Sequence, residues 1–241
     1  MAPSASKIAV VIGANRGIGL SLCGLSKQHG YTVYGAGRKA TPELQKAEVH
    51  IIEGVDMAAD NATAPILAAL AGKHIDLLII SAGYQELDKL SNVTRDTIQR
   101  QMDVNAYGPL FAVQALQCSL SKAAKVVLIS SKMASITEVN ATNGDLYGYR
   151  MSKAALNMAG VVLARDLKAN DSPVALIHPG VVNTQMYQTL QEARNTPLEK
   201  RGLNTLTPDE SAAKIWSLIQ DLNLENTGSF WAADTGKIIG W

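Results

Sequence analysis

Short apolar runs recur along the chain, each closed by glycine, proline or charge, and the stretches between them carry apolar residues at helical spacing. The first, Lys7-Ile-Ala-Val-Val-Ile12, is a β-branched run cut off at Gly13 and followed by a helical pattern through Ser26. Thr32–Ala36, Val49–Glu53, Asp76–Ser81, Lys125–Ser130 and Val174–His178 read as further strands, most of them separated by helical segments. Such alternation predicts a parallel sheet covered on both faces. Leu77-Leu-Ile-Ile80 and Val126-Val-Leu-Ile129 are apolar without a break, which fits central strands. Long helices are expected over Asp96–Leu120 and Tyr149–Ala169. No repeat or linker interrupts the series, so one doubly wound α/β domain is expected over residues 1–241, with residues 1–6 flexible.

Composition narrows the function classes. The 241 residues are 47% apolar and carry a formal charge of +1, enough for one filled core and too balanced for a dedicated nucleic-acid binder. Cys23 and Cys118 lack the spacing of a metal site or disulfide framework and read as small buried hydrophobes within helices. No basic leader with a long apolar run opens the chain, and no later run reaches bilayer length, so the expectation is a cytoplasmic protein without membrane, nucleic-acid or metal partners.

The turn after the first strand is Gly13-Ala-Asn-Arg-Gly17-Ile-Gly19. Glycines there let the backbone amides of a helix start approach a pyrophosphate, which the helix end attracts. The G-x-x-x-G-x-G spacing differs from the G-x-G-x-x-G fingerprint, and its place after the first strand is what points to a dinucleotide. The second strand ends in Gly35-Ala-Gly-Arg38-Lys39, with no carboxylate before Glu43. An acidic residue there would bind a free ribose 2′-hydroxyl; Arg38, with Arg16 from the glycine turn, favours a 2′-phosphate and therefore NADP over NAD.

Tyr149-Arg-Met-Ser-Lys153 opens an alanine-rich helix, and residues four apart share a helix face. A phenol titrates near 10, and a cation beside it favours ionisation, so Tyr149 is a candidate proton donor. The pair alone is weak evidence. Ser81-Ala82-Gly83, Asn105 in Met102-Asp-Val-Asn-Ala106, Ser130-Ser131 and Pro179-Gly180 follow in order at strand ends and on the helix between. With them the chain resembles the short-chain dehydrogenase/reductase family over its full length, and Tyr147 to Asn157 with Asp234 to Trp241 are similar to the branch containing C-factor and the Sniffer-type carbonyl reductases.

The resemblance implies a Rossmann-type fold, a homo-oligomer formed through the two long helices, and an NADPH-dependent reductase of a small-molecule aldehyde or ketone. It implies Tyr149 as general acid, Lys153 lowering the phenol's pKa and holding the nicotinamide ribose, and Ser131 polarising the carbonyl, with Ser130 and Ser135 as rivals. Asn105 would hold a water relaying protons to Lys153. Gly13, Asn15, Arg16, Gly17, Ile18, Gly19 and Arg38 would line the cofactor, joined by Ser81, Ala82 and Gly83. Asp56 and Met57 would face the adenine, and Pro179, Gly180, Val182 and Thr184 the nicotinamide end. His178 reads as structural. A weakly active NADP-binding signalling or regulatory protein is the other function left open.

Two departures from the family pattern stand at the cofactor cleft: Ile12 replaces a threonine and Ser81 an asparagine, so the turns there must be bonded differently. The interval from Ser131 to Tyr149 is long, and Thr137–Gly148 is expected to bulge over the site. Gln185–Pro208 is polar and long for a connection, as a substrate lid would be. Met186, Tyr187 and Leu190, with Tyr84, Met133 and Tyr147, are candidates for its apolar side. No selective group stands out, so the particular substrate is not legible.

Overall fold

In the computed structural model, residues 6–139, 144–195 and 205–241 are described. Eight strands, β1 (Ile8–Ile12), β2 (Thr32–Ala36), β3 (His50–Ile52), β4 (Ile75–Ile80), β5 (Leu120–Ile129), β6 (Val174–His178), β7 (Phe230–Ala232) and β8 (Lys237–Ile238), form one sheet. Their order is β3-β2-β1-β4-β5-β6-β7-β8, parallel except for the antiparallel β7–β8 pair.

Side-chain alternation divides the strands between two cores. Val10, Ile12, Leu78, Ile80, Val126 and Leu128 face one side, where α3 (Ala64–Leu70), α5 (Gly108–Leu116) and α6 (Tyr147–Asp166) bury their apolar stripes. Ala9, Val11, Leu77, Ile79 and Val127 face the other, against α1 (Gly17–Gln28), α2 (Pro42–Lys46) and α8 (Pro208–Asp221). Each fully buried Leu or Ile contributes roughly 2 kcal/mol. The unbroken apolar strands therefore fix the sheet as the middle layer.

β1 lies between β2 and β4, so the chain runs outward one way after β1 and returns on its other side. The carboxyl ends of β1 and β4 thus diverge into a crevice. All the chemistry candidates ending strands sit on that edge.

Two local expectations need correction. The stretch Asp96–Leu120 is not one helix: α4 (Arg95–Met102) passes through a π-turn, Asp103–Tyr107, into α5, and β5 already starts at Leu120. Cys118 consequently falls in a 3-10 turn and is exposed, whereas Cys23 is buried and its thiol is pushed up to about 12 by burial. β7 and β8 are too short to show a period in sequence, although Phe230 is wholly buried. Of the expected lid, residues 185–193 form α7 (Gln185–Ala193), and residues 196–204 lie outside those described, as do 1–5 of the expected flexible lead and 140–143 of the expected bulge.

Candidate active site

A cleft of about 1760 Å³ opens over the crevice, lined from the glycine turn at one end to α7 at the other. Its cofactor end is shaped by backbone. Gly13 has φ of +90°, and a Cβ there would lie 2.4 Å from the amide nitrogen of Ala82; one on Gly19 would lie 2.1 Å from the carbonyl oxygen of Gly13. Neither position tolerates a side chain, so the turn presses flat against the loop after β4 and begins α1. The amides of Ser81 and Ala82 donate to the carbonyl of Ile12 at 2.8 and 3.0 Å, and those of Gly13 and Ala14 to Ala36 at 2.8 and 3.1 Å. Backbone bonds thus do the work that the missing threonine and asparagine side chains would share.

Asn15, Arg16, Gly17, Ile18, Arg38, Asp56 and Met57 line this end, as do Ser81, Ala82 and Gly83. Gly19 is held just behind it. Asn15 packs against Gly37, and its Oδ1 is buried without a hydrogen-bond partner among the described residues. An orphaned acceptor beside a cradle that any Cβ would fill suits a ligand rich in hydroxyl groups, as a dinucleotide is. Arg38 is exposed at the rim. Arg16 lines the same end, and its guanidinium donates to Gln185 Oε1 at the start of α7.

At mid-cleft Tyr149, Ser131 and Lys153 come together. Tyr149 is buried on the first turn of α6, with Ser131 as a side-chain hydrogen-bond partner. Lys153, one turn on, is also buried; its Nζ donates to the carbonyl of Ile129 at 2.8 Å and lies 6.0 Å from the Tyr149 ring centre. Burial, not the cation, dominates the phenol: its pKa is raised, with Ser131 only partly offsetting this. Burial also lowers Lys153 to about 8. The expectation that Lys153 pulls the phenol down is therefore corrected for this arrangement, because the ammonium is bonded to Ile129 and burial of the phenol outweighs it.

The rival serines are engaged elsewhere. Ser130 Oγ donates to Asn157 at 2.6 Å, and Ser135 Oγ to the carbonyl of Gly240 at 2.5 Å. Asn105 sits in the π-turn, wholly buried: its Oδ1 accepts from the amide of Tyr84, and its Nδ2 donates to the Tyr84 carbonyl and to Ser152 Oγ. Its side chain ties the Gly83–Tyr84 loop to α6 and does not line the cleft. His178 does line it, neutral because burial drives its pKa down to about 4.

Pro179, Gly180, Val182 and Thr184 lead from β6 along the wall. Thr184 caps α7 through the amide of Tyr187, and its Cγ2 would lie 3.3 Å from a Cβ on Gly17. Tyr84, Met133, Met186, Tyr187 and Leu190 line the far end, whereas Tyr147 is not among the lining residues. Glu138, from the loop expected to bulge, does line the cleft.

Sequence reasoning missed several groups. Asp88, buried, accepts from the amides of Tyr147 at 2.5 Å and Gly148 at 3.0 Å, and from Gln101 Nε2 at 3.3 Å, holding the first turn of the Tyr149 helix. Leu146 precedes that turn with φ of +62° and offers no side-chain cap, so the carboxylate supplies one. Gln191, Arg150 and Arg194 also line the cleft, Arg194 paired with Asp145 at 2.5 Å. These polar groups at the far end of the cleft are ones that the sequence did not reveal.

The profile of the short chain dehydrogenase family matches residues 7–195. The 1-hydroxy-2-glutathionyl-2-methyl-3-butene dehydrogenase of Rhodococcus sp. (strain AD45) is 31% identical over 234 residues, covering 96% of this chain and 98% of that protein. Among solved structures, the NADPH-bound carbonyl reductase from chicken fatty liver superposes with a TM-score of 0.82 at 26% identity, covering 98% of this chain and 99% of that one. The carbonyl reductase Sniffer of D. melanogaster gives 0.79 at 25% identity, with the same coverage.

Proposed function

The chain belongs to the short-chain dehydrogenase family, and on that premise we propose that it is an NADPH-preferring reductase of aldehydes or ketones. One observation carries the reading: the Tyr149, Ser131 and Lys153 side chains meet in the same cleft as the glycine cradle. NADPH bound there would supply the hydride.

The residues divide the remaining work. Tyr149, kept protonated by burial, delivers its proton to the carbonyl oxygen. Ser131 hydrogen-bonds the same oxygen and stabilises charge developing on it. Lys153, an ammonium below about pH 8, offsets the negative charge left on the phenol and holds the nicotinamide ribose. Asn105 is a positioning residue, fixing the loop and helix between which the reacting groups lie. Arg38 meets the 2′-phosphate, and Arg16 joins it by exchanging Gln185 for the phosphate. Asp56 and Met57 border the adenine, Val182 and Thr184 the nicotinamide end. That a similar carbonyl reductase is NADPH-bound supports the cofactor.

Purified protein incubated with NADPH or NADH and a panel of aldehydes and ketones tests this by loss of cofactor absorbance. Oxidation of NADPH at least tenfold faster than NADH is expected. Inactivity across the panel, with NADPH still bound, would favour the signalling reading instead.

A homo-oligomer is part of the proposal. Tyr107 and Phe111 on the π-turn and α5, and Met151, Met158 and Val162 on α6, are exposed apolar groups on the two segments expected to pair. Among the described residues no helix is long and apolar enough to cross a membrane.

A further inference from the structure

Three polar side chains sit at helical spacing along α7 and its C-cap: Tyr187, Gln191 and, at the cap, Arg194. All three line the substrate end of the cleft. Gln191 is 94% buried by its 6% exposure, and neither its Oε1 nor its Nε2 has a hydrogen-bond partner among the described residues. The hydroxyl of Tyr187, one turn earlier, is buried and orphaned as well. Leaving an amide dry and unpaired on both sides is destabilising, and such groups in folded chains call for a partner. Leu190, the neighbour of Gln191, packs in one apolar cluster with Tyr149 and Leu146, so α7 is anchored against the element that carries the reacting phenol.

We propose that Gln191, assisted by Tyr187, is the specificity-determining residue of the site and that the substrate is a carbonyl compound carrying an amide group. This rests on the reductase reading above. A carboxamide is the complement that satisfies both ends of Gln191 at once: its carbonyl accepts from Nε2 while its N–H donates to Oε1. A carboxylate or an ether would leave Oε1 unpaired, and a hydrocarbon tail would leave both. Because α7 starts against the glycine turn, through Thr184 beside Gly17 and Gln185 bonded to Arg16, cofactor binding and the placing of this amide are joined in one element.

The test compares two ketones of equal length, one ending in a primary carboxamide and the other in an isopropyl group of similar shape. Wild-type protein should favour the carboxamide by about tenfold or more in kcat/KM, and Gln191→Met should bring the ratio to within about twofold of one. Equal rates in the wild type, or an undiminished ratio in the variant, would overturn the assignment. The midpoint of thermal unfolding of Gln191→Met without ligand should equal or exceed that of the wild type; a drop of several degrees would show that the amide serves the fold instead. Calorimetric titration of the NADP⁺-loaded protein with the carboxamide ketone separates this from the chemistry. Binding that depends on Gln191 upholds the inference even if neither ketone is reduced.

Discussion

The two ends of the cleft are built on different principles. At the cofactor end the walls are backbone, held by amide-to-carbonyl bonds between strand ends and by glycines that no other residue could replace. At the substrate end the walls are side chains, and two of them, Tyr187 and Gln191, carry buried polar atoms without a hydrogen-bond partner among the described residues. The first end is rigid because its contacts are main-chain and short. The second holds buried polar groups whose partners the fold does not supply.

The sharpest way to break this contrast is Gly13→Val. A Cβ 2.4 Å from a backbone nitrogen, at a φ of +90°, forces the turn off the β4 loop. NADPH affinity should fall by about a hundredfold or more in calorimetry, with a lowered unfolding midpoint. Wild-type affinity would mean that the cradle is not backbone-defined.

A smaller effect concerns the buried pair at mid-cleft. Lys153 titrates at about 8 because burial disfavours its charge, so it is an ammonium below that pH and neutral above it; Tyr149, raised above its usual 10, stays protonated throughout. kcat/KM for carbonyl reduction should be level below pH 8 and decline about tenfold per unit well above it. A profile flat to pH 10 would detach Lys153 from the chemistry.

Smaller still is the effect of Asp88→Asn, at the seam between the two ends. The amide that replaces one carboxylate oxygen would face N–H groups of Tyr147 or Gly148 instead of accepting from them. A loss of about 2 kcal/mol is expected, seen as an unfolding midpoint about 5 °C lower, with turnover reduced more than NADPH affinity because the Tyr149 helix start loosens. An unchanged midpoint would show that the helix start needs no such cap.

The same contrast explains what was legible in the sequence. The glycine turn could be read because its requirement is steric and local, and the strand series because its central runs, β1, β4 and the end of β5, are buried on both faces. Tyr149 and Lys153 were visible because one helical turn joins them. Asp88 was invisible: it acts on residues about sixty positions away, and no local pattern marks it. Gln191 looked like any polar residue of a surface helix, since burial without a partner is a property of the assembled cleft. The π-turn at Asn105 lies within a continuous helical pattern, and only the bonds to Tyr84 and Ser152 reveal its purpose. The lowered phenol pKa was inferred from proximity alone, and burial of both groups reversed its sign.

Tyr149→Phe tests the central claim most directly, because it removes one oxygen from the meeting point of the two ends and nothing from either wall. NADPH titration and ketone turnover should be measured on the same preparation. Unchanged cofactor affinity with kcat lowered by about a thousandfold or more is the expected result. Turnover within a few-fold of the wild type would contradict the account, since the phenol would then not be the proton donor.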